Sequence, residues 1–205
     1  MKAPLLILLL LLPLNIYAQR DTLRIRTEPL VGSLLFSGGT FVSIRPELHQ
    51  YETRLYHALD LAQVPKQAFD NVLQFVPLAS PTVLSFVGLK GEHNTGQIAL
   101  LSATASLIGL AAIESAKLFY HVERPDGTAF TSFPSGHTFM AFTGADILRR
   151  EFAHRYPWLP YVGYGVAALV GAMRIYNNRH WPSDVLAGAG VALLSVSFTY
   201  WLFTK

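Results

Sequence analysis

The chain contains no cysteine. Disulfide frameworks, thiolate nucleophiles and cysteine-ligated metal sites are therefore excluded from the start. Charge is scarce as well: Asp, Glu, Lys and Arg make up 14% of the 205 residues, against about 25% in typical soluble domains. What charge there is nearly cancels, with 16 Lys and Arg against 13 Asp and Glu. No basic run and no aromatic–basic interleaving occurs, which argues against a nucleic-acid partner. Internal repeats and low-complexity linkers are missing too. What fills the composition is apolar, 51% of all residues.

The first apolar run is N-terminal. In MKAPLLILLLLLPLNIYAQRD, Lys2 precedes Leu5 to Leu14, and Ala18 offers a small residue for cleavage. Residues 1–18 are expected to be a secretory signal or, because Ile16 is bulky, an uncleaved anchor, and either exports the rest to a bacterial cell envelope. Residues 19–66 form an N-terminal periplasmic segment of mixed character. Its stretch PLVGSLLFSGGTFVSI (29–44) reads equally as a strand pair, a short helix or a membrane-lying segment. Leu48, Tyr51, Leu55 and Leu59 mark an amphipathic helix between Glu47 and Leu61.

Five apolar blocks follow, at 69–89, 97–120, 137–150, 158–176 and 183–203. The last carries no charge from Val185 onward, about the ~20 residues that a bilayer span requires. The second is rich in Ala, Ser and Gly, suited to close helix contacts in lipid. The pattern predicts an all-α helical bundle over residues 67–205, integral to a membrane, with about five to six helices, the alternative being the buried helices of a soluble bundle. RREFAHR (149–155) is the densest basic loop and should face the cytoplasm. Alternation then puts the 121–136 and 177–182 loops on the periplasmic side.

Three short motifs hold the polar chemistry of this apolar half. In KLFYHVERP (117–125), Lys117 and Arg124 stand seven residues apart, so a helix running through both would present them on one face. Two cations at the end of an apolar helix require an anion or a carboxylate. A juxtamembrane basic cluster partnered by Glu123 is the alternative. In FPSGHTFMAFTGADIL (133–148), Ser135 is placed to cap a helix that starts near Gly136. The free N–H groups of such a first turn bind anions, Gly136 admits close approach, and His137 overhangs the spot. A capped helix with an incidental histidine is the other reading. In MRIYNNRHWPSDVLAG (173–188), Pro182 suits the first turn of the next helix, and Asp184 can reach back to His180. A histidine held by a carboxylate is the pattern of a tuned base or nucleophile, or else a cap without chemistry. Taken together, three cations, a helix N-terminus and two histidines suit phosphate, a multiply charged tetrahedral anion that arginine forks grip well.

The joint pattern K-x6-RP, PSGH and R-x5-H-x3-D resembles the type 2 phosphatidic acid phosphatase and vanadium haloperoxidase superfamily, in the blocks Lys117–Arg124–Pro125, Pro134–Ser135–Gly136–His137 and Arg174–His180–Asp184. Met173 departs from it, standing where the family usually has serine. The resemblance implies a membrane phosphatase that needs no metal and no other cofactor. It implies His180 as the nucleophile that becomes phosphohistidine, Asp184 as its orienting partner and His137 as general acid and then base. Lys117, Arg124, Arg174, Ser135 and the Gly136 amide would hold the phosphoryl oxygens, while Asn177, Asn178 and Trp181 would shape the rim. The implied substrate is a lipid phosphate presented at the periplasmic face: phosphatidic acid, phosphatidylglycerol phosphate, undecaprenyl diphosphate or a lipid A phosphate. A soluble periplasmic acid phosphatase, a vanadate-dependent haloperoxidase and a non-catalytic lipid-binding membrane component are the competing readings.

Overall fold

The computed structural model describes residues 27–59, 61 and 66–203, and every regular α-helix or strand among them is helical. The expected signal or anchor, residues 1–18, lies outside the described residues. The helices are α1 (Thr27–Ser43), α2 (Pro46–Ala58), the single turn α3 (Asp70–Leu73), α4 (Phe75–Phe86), α5 (Thr95–Tyr120), α6 (Gly136–Phe152), α7 (Leu159–Tyr176) and α8 (Pro182–Phe203). The five apolar blocks correspond to α3–α4, α5, α6, α7 and α8. The ambiguous 29–44 stretch is a helix, α1.

Local chemistry sets the boundaries. Asn94 and Gln97 form a reciprocal capping box at the start of α5, with the Gln97 amide donating to Asn94 Oδ1 at 2.9 Å. Ser135 caps α6 and Pro182 opens α8. The helix α5 stops at Tyr120, because His121 turns left-handed with φ 48°. The helix that would put Lys117 and Arg124 on one face therefore does not run through both.

The centre of the bundle is α8, buried along most of its length. On one side α1 runs antiparallel to it at very close range. A Cβ on Gly190 would stand 2.5 Å from the Phe36 nitrogen and 2.7 Å from the Gly32 oxygen, so no larger residue fits that crossing. On the other side Phe139 of α6 packs with Ile113, Val191 and Ala192. Helix α2 folds over the start of α8, where Glu52 is buried and accepts from the Ser183 amide (2.7 Å) and hydroxyl (2.9 Å). That carboxylate satisfies donors that the first turn of α8 would otherwise leave open.

Among the described residues two helices, α5 and α8, are long and apolar enough to cross a membrane, each with a mean hydropathy of 1.7. They differ in burial: 67% of the apolar window of α8 is buried but only 33% of that of α5. Much of α5 is thus an outward apolar face, with Leu107 70% and Leu118 77% exposed.

The loops fall at two ends. One end holds 121–135 and 177–181, the other 87–94 and 153–158. At the second end, fully buried Asp146 accepts from Arg149 Nε (3.0 Å), Arg150 Nε (2.8 Å) and the Tyr164 hydroxyl (2.8 Å). Arg149 also reaches Glu28 of α1 at 2.8 Å. Two of the basic residues read as a loop therefore belong to the last turn of α6 and turn inward. Asp146→Ala should cost on the order of 3–5 kcal/mol, since two largely buried guanidinium groups would lose their shared carboxylate. Thermal unfolding of the purified protein in detergent measures it, and an unchanged Tm would show that water already serves those arginines.

Candidate active site

The first end of the bundle gathers the motif residues, and Asp184 in the first turn of α8 organises them. It is fully buried, and its Oδ2 accepts from the Ser132 hydroxyl (2.5 Å) and the Trp181 amide (2.8 Å). Its backbone carbonyl receives the Ser135 amide at 3.0 Å, which fastens the start of α6 to the start of α8. His180 lies against this knot, 3% exposed. Its Nδ1 is 2.7 Å from the Ser132 carbonyl and 3.6 Å from Asp184 Oδ2. The hydrogen bond from Nδ1–H therefore goes to the carbonyl, with Asp184 alongside as a neighbouring charge. A proton held on Nδ1 leaves the Nε2 lone pair free, and Nε2 has no partner among the described residues.

Burial holds His180 below its ordinary 6.5, and the nearby Arg174 and Arg124 push the same way, while Asp184 opposes them. The ring stays neutral, hence nucleophilic, to lower pH than a free histidine does. Protonation opposes the folded state: this site's stability is full above pH 6.5 and is lost as pH falls toward the depressed folded value.

The α6 N-terminus is formed as expected. The Ser135 hydroxyl, fully buried, accepts from the Thr138 amide (3.4 Å) and hydroxyl (2.9 Å). Lys117 Nζ lies 3.9 Å from where a Cβ on Gly136 would stand, directly beside that first turn. It also donates to Glu114 at 2.7 Å. His137 is half-buried and close enough to Arg174, His180, Asp70 and Lys117 to feel their charges. Arg124 arrives from the loop, where its amide donates to the Ala129 carbonyl at 2.9 Å. Arg174, at the end of α7, is 6% exposed. The Nε atoms of both arginines are buried without a partner among the described residues.

All eight sequence-derived site residues thus converge on one end of the bundle. Four others come with them that the motifs did not announce. Ser132 contributes a carbonyl, a group that every residue has. Asp70 is buried and donates nothing, but accepts from Arg174 Nη1 at 2.7 Å. Asn71 faces both His137 and Arg174, and Glu52 caps α8 from behind. Asn177 and Asn178 are not free rim residues: both are buried, and their side-chain amides donate to the Gln67 (2.7 Å) and Leu61 (2.6 Å) carbonyls. Trp181 is anchored through Nε1 to the Glu123 carbonyl at 2.8 Å.

The sequence model of the PAP2 superfamily matches residues 97–205, more than half of the chain and all three motifs. The chain belongs to the PAP2 superfamily. Among relatives, it is 40% identical over 189 residues to a lipid A 1-phosphatase of Porphyromonas gingivalis, covering 92% of this chain and 40% of that one. It is also 40% identical over 57 residues to an undecaprenyl-diphosphatase of Sulfolobus acidocaldarius, covering 28% of this chain and 26% of that one. The chain thus spans well under half the length of these relatives. The crystal structure of Aquifex aeolicus LpxE shares the fold, with a TM-score of 0.51 at 20% identity over 90% of this chain and 98% of that one.

For this PAP2 protein the Ser132 hydroxyl should tune His180 through Asp184. The acid limb of the His180 titration, followed by NMR of the imidazole, should lie below pH 6.5. Ser132→Ala frees Asp184 Oδ2 to pair with Nδ1, so the limb should move to higher pH. A limb that stays in place would show that the hydroxyl has no hold on the histidine.

Proposed function

We propose that this chain is a phosphatase that removes terminal phosphate from a membrane lipid at the periplasmic face, through a phosphohistidine on His180. The observation that carries the reading is His180 itself: its Nδ1–H is held by the Ser132 carbonyl and its Nε2 is left unpartnered. Around it stand Arg124, Arg174 and Lys117, a capped helix N-terminus and a second histidine.

In the first step Nε2 of His180 attacks phosphorus, and an N–P bond forms as the P–O bond to the lipid breaks. His137, which takes up its proton beside the negative charge of the bound phosphate, gives it to the departing lipid oxygen. In the second step His137 takes a proton from water, the hydroxide oxygen bonds to phosphorus, and the N–P bond breaks to release inorganic phosphate. The three cations and the first-turn amides of α6 hold the non-bridging oxygens, so the rate comes from positioning and charge.

The lipid assignment rests on the apolar surface. The outward face of α5 and the exposed Phe75, Val83, Phe86, Tyr161 and Leu169 of α4 and α7 surround the bundle with side chains suited to hydrocarbon. A lipid in that environment presents its phosphate at the helix ends without leaving the bilayer. Lipid A 1-phosphate heads the candidate substrates, since the relative of that name aligns with 92% of this chain.

Purified protein should release phosphate from a lipid A 1-phosphate, phosphatidic acid, phosphatidylglycerol phosphate and undecaprenyl diphosphate panel in micelles, with higher kcat/KM than for glucose 6-phosphate or a nucleotide. Release should persist in EDTA, yield to orthovanadate and vanish in His180→Ala. Soluble esters clearly preferred, together with protein that leaves the membrane without detergent, would replace this reading with a general acid phosphatase. Activity lost in EDTA and restored by Mg²⁺ would remove the phosphohistidine step.

The orientation is tested separately. Thr128 and His154 are exposed at opposite ends, and the chain has no native cysteine to interfere. An impermeant thiol reagent on intact spheroplasts should label Thr128→Cys and spare His154→Cys. The reverse labelling would put the site in the cytoplasm.

A further inference from the structure

The single turn α3 lies outside all three motifs, yet it touches two residues of the site. Asn71 Oδ1 is 3.0 Å from His137 Nε2 and 3.4 Å from Arg174 Nη1. The turn is not free to drift. Its Asp70, 1% exposed, is paired to Arg174 at 2.7 Å, and the preceding Gln67 is bonded in both directions to Asn177 (2.8 and 2.7 Å).

Hydrogen-bond chemistry then fixes what Asn71 can do. A guanidinium only donates, so the amide atom that faces Arg174 is the carbonyl oxygen and not the NH2 group. That same oxygen faces Nε2 of His137. An acceptor at Nε2 requires that this nitrogen carry hydrogen. Nδ1 of His137 has no partner among the described residues. We infer that Asn71 is a positioning residue for His137, holding a proton on Nε2 so that Nδ1 is the nitrogen that exchanges protons with substrate and water.

This inference rests on the acid–base role proposed for His137, and it gives that role a direction. The imidazolium gives up its Nδ1 proton to the leaving oxygen and keeps Nε2–H on Asn71 throughout. The neutral ring that remains has its lone pair on Nδ1, ready for the water proton, so no ring flip separates the two steps. A carboxamide suits this duty because it accepts from the neutral and the charged ring alike. A carboxylate would favour the cation. The charged or titratable groups that face His137 are Lys117 from α5, Arg174 from α7, His180 from the loop before α8 and Asp70 from α3. Asn71 is the neutral acceptor among them.

The test uses the full-length protein in detergent, labelled with ¹⁵N at histidine, with the His137 signals assigned by their loss in His137→Gln. The parent should show His137 as the Nε2–H tautomer. Asn71→Ala should give a mixture of tautomers and lower kcat by about tenfold to a hundredfold, with KM within about twofold. Asn71→Asp, close in size, should keep the Nε2–H tautomer and move the alkaline limb of the pH profile upward, because the carboxylate stabilises the imidazolium. An Nδ1–H tautomer in the parent, or tautomer and kcat unchanged in Asn71→Ala, would overturn the assignment. If the parent releases phosphate from no substrate, the phosphatase reading fails, and the tautomer signals alone decide the role of Asn71.

Discussion

One carboxylate oxygen, Oδ2 of Asp184, joins two loops that are distant in sequence. It takes the Ser132 hydroxyl from the loop before α6, the Trp181 amide from the loop before α8, and it stands beside the His180 ring. The residue's backbone carbonyl takes the Ser135 amide. Buried charge in an apolar bundle is costly unless it is well satisfied, and here the hydrogen bonds come from the chain segments that must be aligned. Asp184 therefore decides where α6 begins relative to α8, and so where the first turn of α6 stands relative to His180.

The N-terminal helices support that knot from outside. Helix α1 lies on α8 through glycine contacts, which fix the axis of α8 to within the tolerance of backbone packing. Helix α2 delivers Glu52 to the Ser183 amide and hydroxyl, one residue before Asp184. His49 and Tyr56 pack edge-on against Trp181, with ring centroids 4.7 and 6.0 Å away. The segment before the motifs thus shapes the back wall of the site.

The sequence made the apolar blocks, the caps and the charged set legible, because each is written in local patterns. Ser135 and Pro182 mark helix starts wherever they occur in such a context, and the three motifs name their own chemistry. What stayed hidden depended on contacts between distant segments. The helix at α1 was obscured by glycines whose purpose is the approach to α8. The apolar block 97–120 ends where α5 ends, but the left-handed turn at His121 that parts Lys117 from Arg124 has no local signature. Asp70 and Asn71 precede the first motif by more than forty residues, and only the fold brings them to Arg174 and His137. The direct contact of Ser132 with His180 is through its backbone carbonyl, which no side-chain pattern can reveal.

The order of the site along the chain has a consequence for biogenesis. Lys117 and Arg124 are made first, the capped turn of α6 next, and Arg174, His180 and Asp184 last. Chains emerge N-terminus first, and domains form as their segments become available. A growing chain that has placed α5, α6 and α7 already carries its cations and His137 but has no held His180, because the carboxylate that keeps the Ser132 loop in place arrives with α8. The nascent protein thus lacks its held His180 until α8 docks, and competence for the proposed reaction reports that α8 is in place.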